Sequence, residues 1–245
     1  MNIQTNPIPC KIKDDGLTET IVLVKYNSEY TIQKLQTVIF TYLTRTTHGA
    51  FQKVYTRKKD RLVTGDNSRR NDFFYTDGKY KVVVRQTDIS FNCVEVYPGW
   101  ATYFSFIRNC LNNLQTLING VQISIRYISS YPELPLSAFL EGHIVYTNLS
   151  HSILQQQHTI HCKLATGSHI GSAIGIIRLY DSIKVHHQIM SIVDIEIQSR
   201  EVIEGEENYA SILQKIELCH NFEKQLFFSL LTKEFIDSKQ PTYEE

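Results

Sequence analysis

The chain has no excess of charge of either sign, because 25 Lys and Arg residues balance 25 Asp and Glu. Without a net field the molecule as a whole does not gather a polyanion or an anionic membrane surface, so any contact with nucleic acid would need a local basic patch. No window approaches the roughly 18 consecutive apolar residues of a membrane-spanning helix. The opening residues MNIQTNPIPCKIKDDG lack the basic-then-apolar order of a secretory signal. The five cysteines, Cys10, Cys93, Cys110, Cys162 and Cys219, are odd in number, widely spaced and form no C-x-x-C pair, which predicts reduced thiols rather than a disulfide framework. These absences together predict a cytoplasmic protein without a membrane partner.

Signals for a nucleophile or a cofactor are missing too. There is no G-x-S-x-G elbow and no G-x-G-x-x-G. The one glycine-dense stretch, GSHIGSAIG at 167–175, lacks the lysine and the amphipathic helix of a phosphate-binding loop and reads as a hairpin loop. No cofactor is expected. At 245 residues the chain can bury roughly 75% of the surface its unfolded form would expose. One domain, 1–245, is expected, with two intimate halves of about 1–96 and 97–245 as the alternative.

The text alternates between two periods. TIVLVKY at 20–26 is a β-branched run and predicts a strand. Ile32, Leu35, Ile39, Tyr42 and Leu43 then recur at spacings of three and four, placing a helix over about 30–44. From Ala50 to Val96 short β-rich runs, among them NDFFYT and KYKVVVRQ, predict an antiparallel meander, with Asp77-Gly78 as a hairpin turn in which both central residues favour positive φ. Trp100, Phe104, Ile107, Leu111, Leu114 and Ile118 mark one stripe of a second helix, about 99–118, closed by Asn119-Gly120. A second β region follows: VQISIRYISS, HIVYTNLS, TIHCKLAT, AIGIIRLYD and IMSIVDIEIQS. Ile123, Ile125 and Tyr127 alternate with Ser124 and Arg126, and Val193, Ile195 and Ile197 with Asp194 and Glu196, so one sheet face meets a core. Leu213, Ile216, His220, Phe227, Leu230 and Leu231 set the face of a third helix, about 208–235. The fold class is therefore α+β, with antiparallel meanders packed against three amphipathic helices.

Four of these segments resemble a known family. Tyr97 and Trp100 stand at an aromatic-x-x-Trp helix start. Arg126, Tyr127 and Ile128 lie on an Arg-Tyr strand, and Val193, Asp194, Ile195 and Glu196 on a late LDID-like strand. His220, Phe228 and Thr232 fall in a closing helix with His, then Phe, then Thr. In order and spacing, residues of about 70–235 resemble the divergent, sporadically distributed prokaryotic proteins of unknown function often encoded among restriction and other anti-phage defence genes. Where that family tends to have Asn after Arg-Tyr, this chain has Ile128, and its opening, NPIPCKIKDDG and TIVLVKY, departs from the family's Asn-Pro-Pro and Glu-Ile-Arg-Phe-like start. The resemblance implies a genomic setting and a partner encoded by a neighbouring gene, and it lends no chemistry.

Two sets of side chains could carry a function. Arg126, Asp194 and Glu196 sit on the polar phase of apolar strands, where a bidentate Arg-carboxylate pair can form if the strands are neighbours. His220 lies on the apolar stripe of the last helix, where a buried imidazole needs partners such as Tyr127, Arg126 or Asp194. These four define the expected ligand or partner face, with His220 read first as a core histidine and second as a general base. The other set is basic: Arg57, Lys58, Lys59, Arg61, Arg69 and Arg70 between two strands, near Phe51, Tyr55, Phe73 and Phe74. Such a loop could track a phosphate backbone, although Lys and Arg more commonly blunt sheet edges. His158 with His161, and His186 with His187, point to opposite faces of an extended chain, so no metal site is expected. The functional reading is a non-catalytic protein-interaction or sensing subunit of a prokaryotic anti-phage defence system. The alternative is a nucleic-acid-binding or processing protein using the 57–70 loop. A homo-oligomer stays open, as does a small ligand held between sheet and helices.

Overall fold

A computed structural model describes residues 8–9, 12–46, 50–55, 73–93, 96–141, 158–165, 173–185, 187–200, 202–203 and 208–243. The fold is α+β, with antiparallel strand pairs and four α-helices among these residues. The chain packs as two compact units. One contains 21–123 and 202–214, and the other 1–20, 124–201 and 215–245.

In the first unit, strand β1 (Leu17–Asn27) is followed by helix α1 (Ile32–Thr46), four strands β2 (Gln52–Tyr55), β3 (Phe73–Thr76), β4 (Tyr80–Val84) and β5 (Asp88–Cys93), and helix α2 (Trp100–Asn112). The β-branched run of β1 alternates as expected, with Val22, Val24 and Tyr26 buried. Leu35, Ile39 and Leu43 of α1 have no exposed surface, since a spacing of four keeps them on one helical face. The strands β2 to β5 form the predicted meander, each antiparallel to the next.

The Asp77-Gly78 turn forms by a different device from the one its sequence suggests. Only Gly78 takes positive φ, at 93°. The Asp77 carboxylate instead accepts hydrogen bonds from the backbone N–H of Lys79 (3.0 Å) and Tyr80 (2.7 Å), which widens the connection beyond two residues.

Helix α2 differs from expectation in length and in face. It ends at Asn112 rather than near 118, because the chain tightens into i to i−3 bonds at Asn113, Leu114 and Leu117 and the Asn113 side chain donates back to the Asn109 carbonyl at 2.7 Å. The buried stripe is Tyr103, Ile107, Cys110 and Leu111, while Trp100 and Phe104 are half-buried and stack on each other at 5.3 Å. Tyr103 meets an aromatic cluster that the meander supplies: its ring lies 5.9 Å from Tyr80, and Phe106 stacks on Tyr80 at 4.3 Å.

In the second unit the strands are β6 (Asn119–Pro132), β7 (His158–Ala165), β8 (Ala173–Val185) and β9 (Gln188–Ser199), hydrogen-bonded in the order β6-β9-β8-β7. The end of the predicted glycine-dense loop, Ala173–Gly175, is thus the start of a strand. The segment HIVYTNLS lies outside the described residues. Helix α3 (Asn208–Leu230) crosses the unit boundary after Gln214, and from Lys215 onward it belongs to this unit. There its buried seam is Ile216, Cys219, Glu223, Leu226 and Leu230; Ile216 and Leu230 belong to the predicted stripe, while Cys219 and Leu226 stand where His220 and Phe227 are expected. Gly175 of β8 admits the helix: a Cβ there would stand 3.2 Å from Leu226 Cδ2.

The predicted helix over 208–235 is two helices. Thr232 is extended, with φ −67° and ψ 150°, and its side chain caps a short helix α4 (Lys233–Ser238) by accepting from Phe235 N–H at 3.2 Å. Its own N–H is taken by the Phe139 carbonyl at 2.8 Å, so the backbone bond that would continue α3 goes elsewhere. Phe139, Tyr131 and Phe235 pack together beneath this break, with centroids 4.4–5.8 Å apart.

Candidate functional site

The register of the second unit's sheet brings four charges onto one face. Arg126 of β6 pairs across the ladder with Glu196 of β9, and Arg178 of β8 pairs with Asp194. Antiparallel neighbours on one face also meet diagonally, and the long guanidinium arms use this. Arg126 reaches past Glu196 to grip Asp194 with two parallel bonds, Nε to Oδ1 at 2.8 Å and Nη2 to Oδ2 at 2.7 Å. Arg178 donates to Glu196 at 2.8 Å and stands 3.4 Å from Asp194. Ser124 and Gln198 also donate to Glu196, at 3.1 and 2.6 Å. The predicted bidentate pair therefore forms. Arg178 was missed, although it occupies the polar phase of its own strand just as Arg126 does.

Burial grades across this network. Asp194 is 2% exposed, Glu196 15%, Arg178 21% and Arg126 38%. Desolvation alone would raise the Glu196 pKa, yet the hydrogen bonds from Gln198, Arg178 and Ser124 outweigh it and hold the carboxyl below its ordinary value. The Asp194 hydrogen bond likewise holds the Arg126 guanidinium more firmly protonated. Both carboxylates are engaged by guanidinium donors, and a carboxyl held below its ordinary pKa, as Glu196 is, makes a poor proton shuttle.

His220 does not belong to this face. Successive strand residues point to opposite sides, and His220 meets Tyr127, the neighbour of Arg126, from the helix side: Tyr127 Oη lies 2.9 Å from His220 Nδ1. Burial, with a smaller push from Lys224, lowers the imidazole pKa to about 3. At neutral pH the ring is uncharged and weakly basic, which favours the core-histidine reading over the general base, because a base works best with a pKa near the operating pH. The four residues expected on one face are therefore three on one side of the sheet and one on the other.

Among the described residues no three or more His, Cys, Asp or Glu side chains converge as a metal site would require. The thiols of Cys110 and Cys219 are buried, which raises both pKa values, that of Cys219 to about 11. Neither is a reactive thiolate. The basic set Arg57, Lys58, Lys59, Arg61, Arg69 and Arg70 lies outside the described residues. In the first unit a cleft of about 630 Å³ runs beside Glu29, Tyr30 and Tyr209. No helix among the described residues is long and apolar enough to cross a membrane.

Removing one member of the charge network tests its worth. Breaking a fully buried ion pair costs about 3–5 kcal/mol, but water reaches Arg126, so Asp194→Ala is expected to cost roughly 1–3 kcal/mol. Arg126→Ala should cost less than Asp194→Ala, because Arg178 remains beside the carboxylate. A double-mutant cycle on urea denaturation should give a coupling of roughly 1–2 kcal/mol, and additive effects would show that the pair contributes nothing.

Comparison with protein-family models and with curated proteins finds no match to this sequence.

Proposed function

We propose that the protein is a non-catalytic interaction or sensing subunit of a prokaryotic anti-phage defence system, and that it holds a protein partner on the Arg126–Asp194–Arg178–Glu196 face. One observation carries this reading. The four charges are already neutralised by one another, while the half-buried Ile128, Ile176 and Ile192 lie among them. A partner covering such a face desolvates paired charges rather than bare ones, which is the arrangement that keeps electrostatic specificity without a large cost. Arg126 contributes two of its three guanidinium nitrogens to Asp194 and keeps Nη1 for an acceptor on the partner. Arginine at the centre of an apolar patch is a common anchor in protein interfaces. The defence setting rests on the resemblance of the sequence segments described above.

The test is purification of the tagged protein from cells carrying its native neighbouring genes. A stoichiometric protein encoded beside it should co-purify, and Ile176→Glu should weaken that association at least roughly tenfold while leaving the melting temperature of the free protein within a few degrees. Association untouched by Ile176→Glu and by Arg126→Ala would remove this face from the reading. Salt-eluted nucleic acid without a protein partner would transfer the function to the 57–70 loop.

A further inference from the structure

The seam of α3 contains a residue that its neighbours do not explain. Ile216, Cys219, Leu226 and Leu230 are what a helix lays against a sheet, but the central position is Glu223, 4% exposed. Its carboxyl has no hydrogen-bond partner among the described residues. Buried charge without a partner is among the costliest features a fold can hold, and such a group stays neutral instead.

Among the described residues no cation pairs with this carboxyl. From the segment before β1 comes Asp15, a second carboxylate, which opposes ionisation of Glu223; its backbone carbonyl accepts the Tyr131 hydroxyl at 2.7 Å. From β6 come the hydroxyl of Tyr127, bonded to His220, and that of Tyr131, whose pKa burial raises. On α3 itself one turn earlier is His220, neutral and bonded to Tyr127, and the adjacent Lys224 is half-buried. The helix-facing residues of β8 and β9 are mostly apolar, among them Ile177, Leu179, Val193 and Ile195; the exception is Asp181, whose carboxylate accepts from Ser191 Oγ at 3.1 Å and from Leu136 N–H at 3.0 Å.

We propose that Glu223 is a protonation latch: the Lys215–Leu230 part of α3 lies more stably on β6 and β8 while its carboxyl carries a proton. Desolvation, with Asp15 adding to it, raises the Glu223 pKa to about 8, so the protein carries this latch closed at neutral pH and close to its release point. In the undocked helix the carboxyl reaches water and its pKa returns toward the ordinary value of 4.5. Undocking therefore releases a proton, and rising pH favours it until the docked form has itself lost the proton near pH 8. The released segment would bare the apolar faces of β6 and β8, in the manner of other pH-driven switches.

Amide hydrogen exchange of the intact protein, corrected for the intrinsic pH dependence, measures the opening directly. Between about pH 7 and 8, where His220 is mostly neutral in both states, protection of the 215–230 amides should fall up to about tenfold per pH unit, and in Glu223→Gln it should stay nearly flat. Protection that does not change with pH in the wild type, or that falls equally in Glu223→Gln, overturns the proposal. An equal fall in the β4 and β5 amides of the other unit also overturns it, since the event is then global unfolding. Should Glu223→Gln fail to fold, carbon-13 titration of the Glu223 carboxyl in the wild type decides: a midpoint near 8 supports the latch and one near 4.5 sinks it.

Discussion

Tyr103→Ala is expected to lower stability by roughly 4 kcal/mol, the range for deleting a fully buried aromatic ring. Tyr103 has no exposed surface. Its ring contacts Tyr80, Tyr97 and Trp100 at centroid distances of 5.9–6.2 Å, so truncation opens a cavity that several rigid rings cannot collapse to fill. The hydroxyl adds a separate loss, because it donates to the Phe91 carbonyl at 2.6 Å. Tyr103→Phe keeps the ring and removes only that bond, and should cost about 1–3 kcal/mol through the unpaired carbonyl. Trp100→Ala, on the half-buried rim of the same helix, should cost clearly less than Tyr103→Ala despite its larger side chain. Urea denaturation of the three variants orders them. If Trp100→Ala proves as damaging as Tyr103→Ala, α2 packs on the face that its sequence periodicity first suggests.

Stability should pass through a plateau between about pH 4.5 and 6.5 and fall on both sides of it. His220 has a folded pKa near 3 against an ordinary value of 6.5. The unfolded chain therefore binds a proton that the folded one refuses, and the stability present above pH 6.5 is lost as pH falls toward 3, at about 1.4 kcal/mol per pH unit. Glu223 runs the other way. Its raised folded pKa, about 8 against 4.5, gives stability that is full below pH 4.5 and is lost as pH rises to 8, with the same slope and opposite sign. Where the windows overlap the two cancel. His220→Gln should convert the plateau into a steady decline with rising pH, and Glu223→Gln into a steady rise. Denaturant midpoints measured at half-unit intervals from pH 3.5 to 8 would show it, and a wild-type curve that both substitutions leave unchanged in shape would remove these two groups from the pH response. Glu196, held below its ordinary pKa, adds to the acid limb below about pH 4.5.

How far the sequence could be read is clearest on α3. A helical face drawn through Leu213, Ile216, His220, Phe227, Leu230 and Leu231 collects the bulkiest apolar residues, and the Phe227-Phe228 pair pulls it round the helix. The buried seam passes instead through Cys219, Glu223 and Leu226. No hydropathy count places a carboxylate in a core, so Glu223 was invisible until the helix lay on its sheet. The same rotation error affects α2, where Trp100 and Phe104 outweighed Tyr103. On the strands the reading was more secure, because a period of two leaves only two faces to choose between. Arg126, Asp194 and Glu196 were placed on the polar phase correctly, whereas His220, on a helix, was assigned to the wrong side of the sheet.

The sequence by itself determined the element types, the meander with its Asp77-Gly78 turn, and the side of each strand on which its charges lie. Those features follow from chain geometry over a few residues, where the period of the backbone and the preferences of Gly, Asp and β-branched side chains act alone. The tertiary structure decided which charges meet. Arg126 takes Asp194 rather than the directly opposite Glu196 because the strand register and the length of the guanidinium arm favour the diagonal. It also decided where α3 breaks, since the Phe139 carbonyl claims the Thr232 N–H, and that Glu223 is largely buried, at 4% exposure. Each of these depends on contacts between residues distant in sequence, whose free energies no local pattern contains.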